Sequence, residues 1–492
     1  MSVEAIAIVG LYPSIVWKRF YEISQVPRPS KSEERIRLFL RNFAGQNNFD
    51  FREDETGNIV ILVPPTPGCE NKPTVVIQNH VDMVCEKNKG TEHDFMKDPI
   101  ELVRDGEWIT ANGTTLGADN GIGAAAALAI ATEHDFEHGP LELLFTVDEE
   151  TGLTGANNLQ KGFITGKTLL NLDTEEDGAF YVGCSGGMDS AGTFRVEYED
   201  IVTSYEPYLI FISGLKGGHS GINISEGRAN SIKLMGILLS RLQKYDYQLV
   251  YMQGGSKRNA IAREAEAIVF IDGSNEAAIR ELINEFSIQC SLEYKYSDPD
   301  IRVQFEKKTH ASVTIMNAYK EDFKKKIINT ILAMPHGVIS MNQNIPGLVE
   351  TSTNLATLNS ASYELTIGTS QRSSIESAKK NVALSVHSVL ELAGAKVTTG
   401  DGYPGWQPNV DSHVLKLSKR VFKRIFGKEP EIKAVHAGLE CGILGDKYPG
   451  IDMISFGPTI VGAHSPDEKV KIEDVDKFYR LLKAILTEIA ER

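Results

Sequence analysis

The chain has 492 residues, 41% of them hydrophobic, and a net charge of −15. That length fits roughly two to three domains with sizeable cores, and the acidic balance argues against nucleic acid or an anionic membrane surface as a partner. No apolar run approaches membrane-spanning length, the first residues lack a secretory pattern, and the five cysteines are scattered without a C-x-x-C, so the sequence reads as a cytoplasmic protein with reduced thiols.

The predicted elements begin with a helix in "PSKSEERIRLFLRNFAGQNN", with Ser30 as candidate cap. "NIVILVPP" and "PTVVIQNHVDM" read as short strands bounded by turn residues. "NGIGAAAALAIATEH" is apolar nearly all round and predicts a buried helix, and "LELLFTV" and "KTLLNLD" are further strands. Near-continuous apolar strands separated by helices predict an α/β domain with a mostly parallel sheet, whose carboxyl edge gathers the chemistry.

From about residue 187 the strands alternate in polarity, as in "AGTFRVEYED" and "YEPYLIFISGL". The pairings of "EAIVFIDGS" with "NEAAIRELINEFSIQCSLEY" and of "ASVTIMNA" with "KEDFKKKIINTILAM" suggest two strand–helix lobes. After the Gly- and Pro-rich "GYPGWQP" the first texture returns, with helices in "DSHVLKLSKRVFKRIFG" and "IEDVDKFYRLLKAILTEIAE" around the strand "DMISFGP". The predicted organisation is one α/β domain made of residues 1–186 and 399–492, interrupted by an inserted α+β domain over 187–398.

Charged residues cluster where the first domain's strands end. "ELLFTVDEETG" runs from a core strand into Asp148, Glu149 and Glu150, "NHVDMV" places His80 and Asp82 after another strand, and "LLNLDTEEDG" ends its strand at Asp173. "LGADNGIG" sets Asp119 before the Ala-rich helix, and "VGAHSPDE" carries His464 after a late strand. Singly, Asp119 reads sooner as an N-cap, Asp173 as a turn residue and His464 as a structural loop histidine, while the acidic triplet reads equally as a solvated turn. Their recurrence at one topological place favours a site. Imidazoles and carboxylates are donors that zinc accepts, and two divalent cations would balance three ligating carboxylates and a hydroxide.

The motifs "NHVDMV", "GADNGIG", "DEETGLTGA", "NLDTEEDG", "GGHSG" and "GAHSPDE" resemble the two-zinc superfamily of aminoacylases and bacterial dipeptidases. Within it, "GLKGGHSGINI", "HAGLECG" and "SFGPTIVGAHSPDE" resemble the aminoacyl-histidine (Xaa-His) dipeptidase group. The resemblance spans essentially the whole chain. It implies a phosphorylase/hydrolase-like catalytic domain of aminopeptidase type, a lid in the insertion and a homodimer formed through that lid. It also implies two metal ions, zinc with cobalt and manganese as alternatives, and hydrolysis of unblocked dipeptides, carnosine included, by a metal-bound hydroxide. Asp119 would bridge the metals, with His80 and Asp173 at one and Glu150 and His464 at the other. Glu149 would be the general base, and Asp82 would orient His80. The Asp119–Asn120 peptide would be cis. His219 would stabilise the oxyanion, Asn259 and Arg372 would grip the substrate's carboxylate end, and Gly438 would let the backbone approach it. His436 and Glu440 lie in the same motif without an assigned role.

Cys85 and Glu86 stand where the dipeptidase pattern has a Pro-Gln pair, beyond the ligands. "GFITGKTLL" mimics a phosphate-binding loop, but only three residues separate Gly162 from Gly166 and a strand follows, which excludes nucleotide binding. Competing readings are an N-acyl amino acid deacylase or aminopeptidase on the same fold, and a non-catalytic metal-stabilised binding protein.

Overall fold

The computed structural model describes residues 3–310, 313 and 317–491. The chain forms two compact units: residues 1–183, 406–434 and 439–492, and residues 184–405 with 435–438. The return of 435–438 to the second unit is absent from the sequence reading.

The first unit holds an eight-stranded mixed sheet. Its strand order is Asp50–Glu53, Ile59–Val63, Leu141–Thr146, Val75–His80, Thr168–Asn171, Asp452–Ser455, Ala179–Cys184 and Glu431–Val435. The central four are parallel, and antiparallel strands flank them. Both Val75–His80 and Leu141–Thr146 are buried along their whole length, as covering on two faces requires. In register, His80 lies beside Thr146, Gln78 beside Asn171, and Asn171 beside Ser455. The parallel strands therefore end within two residues of one another, and their carboxyl ends form one edge.

The helix Ala118–Ile130 is buried on nearly every side. Its alanines present little bulk, which allows such enclosure. A small antiparallel sheet of Leu102–Asp105, Trp108–Ala111, Lys469–Lys471 and Ile460–Val461 carries the loop with His464. Among the described residues no helix is long and apolar enough to cross a membrane.

The second unit is built on a nine-stranded antiparallel sheet, with a two-stranded sheet of Tyr198–Asp200 and Asn317–Tyr319 beside it in the same unit. The order in the larger sheet is Arg302–Lys307, Glu206–Ser213, Ala265–Ile271, Tyr247–Gly254, Val349–Ser360, Glu364–Ser373, Gly186–Arg195 and Lys396–Thr399, with Gly337–Met341 paired to Val349–Ser360. Helices Ser231–Leu242, Glu276–Glu293, Glu321–Ala333 and Glu376–Leu392 contribute to its core, where Leu238, Ile283, Ile327 and Val386 meet sheet residues such as Leu355 and Ile367. Of the strand expected over 311–318, residues 311, 312 and 314–316 lie outside the described residues, while Asn317–Tyr319 is a strand.

Candidate metal centre

The carboxyl edge of the first sheet brings six sequence-predicted residues together. His80 closes its strand, Glu149 and Glu150 open the short helix Glu149–Gly152 just after Leu141–Thr146, and Asp173 follows Asn171. Asp119 sits at the start of the Ala-rich helix, whose N-cap is Gly117 without a side-chain cap. Asp119 is therefore not the cap. Its Oδ1 lies 3.1 Å from His80 Nε2, and its Oδ2 lies 3.1 Å from His464 Nε2. Asp173 Oδ1 is 3.3 Å from His80 Nε2, and Glu150 Oε2 is 3.0 Å from His464 Nε2. Two donor pockets result, His80 with Asp119 and Asp173, and His464 with Asp119 and Glu150, each with ligand atoms within 4.8 Å of one another. Glu149 forms a similar group with His80 and Glu150. The Asp119–Asn120 peptide is cis.

Charge around this centre is unbalanced. Burial, reinforced by neighbouring acids, holds Glu149, Glu150 and Asp173 above the ordinary carboxylate range. The same causes push Glu175 up to about 8 and Glu440 up to about 7. Burial disfavours the His80 imidazolium, yet Asp173, Asp119 and Asp82 raise its proton affinity well above normal. Glu150 Oε1 is buried without a hydrogen-bond partner. Excess negative charge, two imidazole nitrogens and an unused carboxylate oxygen fit a pair of divalent cations.

The supports are specific. Asp82 is fully buried, 3.4 Å from His80 Nδ1, and accepts the backbone N–H groups of Glu149 and Glu150 at 3.0 and 3.2 Å. Ser30 donates its hydroxyl to Asp82 at 2.8 Å, and the helix Glu34–Gln46 has Glu33 at its N-cap. The capping role expected of Ser30 is thus incorrect, because its hydroxyl serves the site instead. Asp148 adopts a left-handed conformation at φ 50° and accepts the hydroxyls of Thr151 and Thr154, while its N–H donates to Glu33 Oε1 at 3.1 Å. It shapes the turn that presents Glu149 and Glu150. Beneath the edge, Glu440 accepts from Gln78 at 2.6 Å and Thr146 at 2.7 Å, and Gln78 accepts from Asn171 at 2.5 Å. Burial pushes the Cys85 thiol up to about 11, and it belongs to neither donor pocket.

Sequence reasoning missed Arg28 and Glu468. The buried Arg28 guanidinium donates to the carbonyls of Val81, Asp82 and Gly117 at 3.0, 2.8 and 2.5 Å. Gly117 has φ 69°, and a Cβ there would stand 2.5 Å from Arg28 Nη2. Glu468 accepts four backbone N–H groups from residues 116–119. The signals were the "PRPS" segment and the final residue of "GAHSPDE", both of which look like ordinary surface charge.

The second unit holds its own group. His219 Nδ1 accepts N–H groups from Gly221 at 3.2 Å and Ile222 at 3.0 Å, which leaves the ring proton on Nε2. Burial, aided by Arg372, pushes its pKa down to about 4, so the ring is neutral. Arg372 is buried, donates to the Tyr403 hydroxyl at 2.9 Å, and places Nη2 3.4 Å from His219 Nε2. His436 Nε2 is 2.7 Å from the Ser352 hydroxyl, and burial pushes its pKa down to about 3. Gly438 lies where a Cβ would stand 2.9 Å from the Tyr403 ring. Asn259 is exposed, and its carbonyl accepts the Ser220 N–H at 2.9 Å beside the His219 loop.

The model of peptidase family M20/M25/M40 matches residues 76–488. The chain is 39% identical over 480 residues to the cytosol non-specific dipeptidase of Escherichia coli, covering 97% of this chain and 98% of that protein. The solved aminoacylhistidine dipeptidase of Vibrio alginolyticus is similar at 42% identity and a TM-score of 0.88, with 97% of each chain covered. Aminopeptidase PepT of Bacillus cereus shares the fold at 17% identity and a TM-score of 0.57, over 98% of this chain and 99% of that one.

Proposed function

The chain belongs to peptidase family M20/M25/M40 and is a metallo-dipeptidase; on that premise we propose that it hydrolyses unblocked dipeptides, Xaa-His dipeptides and carnosine among them, with Glu149 as general base. The observation that carries this reading is Asp119, whose two oxygens face different imidazoles with Glu149 beside them.

In this reading Asp119 would hold both metal ions, His80 and Asp173 would complete one pocket, and Glu150 and His464 would complete the other. When bound, two divalent cations, zinc with cobalt and manganese as alternatives, would polarise the scissile carbonyl and lower the pKa of the attacking water. Glu149 takes a proton from that water and returns it to the leaving amine. Asp82 keeps this geometry, since one carboxylate touches His80 and the amides of Glu149 and Glu150. The His219 Nε2–H donates to the developing oxyanion, and Arg372, with Asn259, binds the substrate's carboxylate. Gly438 leaves room that a side chain would fill. The inserted unit acts as lid and dimerisation surface, and the protein works in the cytoplasm.

The test is metal analysis coupled to a hydrolysis panel, with and without chelator, of Xaa-His dipeptides, carnosine, other dipeptides, tripeptides and N-acylated amino acids. Metal-dependent cleavage restricted to free dipeptides supports the reading. Preferential cleavage of N-acylated substrates or longer peptides would replace it with a deacylase or aminopeptidase, and no turnover with metal bound would leave a binding protein.

A further inference from the structure

Glu468 is 2% exposed, and every hydrogen bond to its carboxylate comes from one short backbone segment. Oε2 accepts the N–H groups of Leu116 at 2.8 Å and Gly117 at 2.9 Å; Oε1 accepts those of Ala118 at 2.7 Å and Asp119 at 3.3 Å. These amides belong to the segment that leads into the regular part of the Ala118–Ile130 helix, since Asp119 and Asn120 have non-helical dihedrals, and an anionic acceptor satisfies four of them at once. The carbonyl of the same segment, at Gly117, is held by Arg28. Residues 116–119 are thus gripped by an acid through their N–H groups and by a base through a carbonyl.

The acid is also tied to the other histidine. Glu468 lies four residues after His464, in the turn between the paired strands Ile460–Val461 and Lys469–Lys471. Its N–H donates to the Ser465 carbonyl at 3.0 Å, and its carbonyl accepts the Thr110 hydroxyl at 2.7 Å. The backbone that bears Glu468 is therefore fixed on both sides, and its side chain spans from the His464 loop to the Asp119 segment.

We propose that Glu468 is a positioning residue for the metal centre: by clamping residues 116–119 to the His464 loop, it sets the separation between the Asp119 carboxylate and the His464 imidazole. The proposal rests on the reading that Asp119 and His464 bind metal. A shared ligand must present its two oxygens in two directions at once, so a small rotation of its backbone spoils both pockets. Four charge-assisted hydrogen bonds from consecutive amides oppose that rotation. A neutral amide side chain of the same shape would keep one acceptor but turn its NH2 toward N–H donors, which releases two of the four.

The experiment compares purified wild-type protein with the variants Glu468→Gln, Glu468→Asp, Asp119→Ala and the core control Ile485→Val. Zinc affinity is read by chelator competition, the visible spectrum after cobalt substitution reports ligand geometry, and thermal melting reports folding. Glu468→Gln is expected to weaken zinc binding about 10–100-fold and change the cobalt spectrum, with Glu468→Asp, which keeps the carboxylate, intermediate. Ile485→Val should melt earlier with unchanged zinc affinity. Zinc affinity and cobalt spectrum at wild-type values in a folded Glu468→Gln or Glu468→Asp variant overturn the clamp while leaving the metal reading intact. Wild-type zinc affinity in Asp119→Ala overturns both.

Discussion

Arg372 Nη2 lies 3.4 Å from His219 Nε2, and both are hydrogen-bond donors. Neither satisfies the other. The His219 tautomer is set by two backbone N–H groups on Nδ1, and its pKa of about 4 keeps the ring from discarding this arrangement by protonation near neutrality. Two donors this close together suit an oxygen acceptor, which in the proposed reading a substrate carboxylate or oxyanion provides. Replacing His219 by alanine should reduce kcat about 10²–10³-fold with metal content unchanged. A variant with wild-type kcat would remove His219 from the reaction.

Arg372→Ala should act differently. If the guanidinium pairs with the substrate's carboxylate, KM for a free dipeptide should rise at least about tenfold, since a charged hydrogen-bonded pair is worth about 1.5–3 kcal/mol. KM for the corresponding dipeptide amide should hardly change. Equal losses on both substrates would mean that Arg372 supports the structure around its strand instead.

Glu149 and Glu150 are neighbours with different contacts. Both amides bind Asp82, but only the Glu150 carboxylate reaches His464, at 3.0 Å. Glu149→Gln should retain metal while turnover falls about 10²–10⁴-fold. Glu150→Gln should lose metal from the His464 pocket. Metal content measured beside kcat decides it, and equal metal loss in both variants would contradict the division of labour.

Why the cluster of acids and imidazoles was readable from sequence, and other parts were not, has a physical basis. Apolar strands ending in His80, the Glu149–Glu150 pair and Asp173 break the rule that charges avoid cores, and such a breach is visible without a structure. The strand Val349–Ser360 was invisible for the converse reason. Its Thr351, Ser352, Thr353 and Asn354 are all buried, whereas hydrophobic periodicity assigns such a run to solvent. Its partner Glu364–Ser373 buries Gln371 and Arg372 in the same way. Glu468 and Arg28 escaped notice because their partners are backbone groups, which every sequence contains. Ser30 was misassigned because a serine before a helix resembles a cap until the position of Asp82 is known.

His336 links stability of the second unit to pH. Its Nδ1 accepts the Leu355 N–H at 3.2 Å, and burial, with Lys233 nearby, pushes its pKa down to about 4. The unfolded histidine titrates near 6.5, so between these values the unfolded chain binds more protons. The stabilisation is therefore complete above about pH 6.5 and is lost as pH falls toward 4, by at most about 3 kcal/mol. His336→Gln should flatten the loss of stability between pH 7.5 and pH 5 in denaturant titrations. Parallel pH profiles for variant and wild type would show that another group controls it.

Metal stoichiometry tests the role of Asp119 most directly. Each of its oxygens serves a different imidazole, so the two pockets share it, whereas His464 and Asp173 each belong to one. Wild-type protein should bind two equivalents of zinc, His464→Ala should keep one tightly, and Asp119→Ala should keep neither at wild-type affinity. Because binding to the native state alone stabilises it in proportion to the logarithm of metal concentration, zinc at about 100 times Kd should add about 2.7 kcal/mol for each site it fills. Chelator should remove both that increment and turnover. If Asp119→Ala keeps one ion as tightly as His464→Ala does, the carboxylate serves a single pocket and the bridging assignment falls.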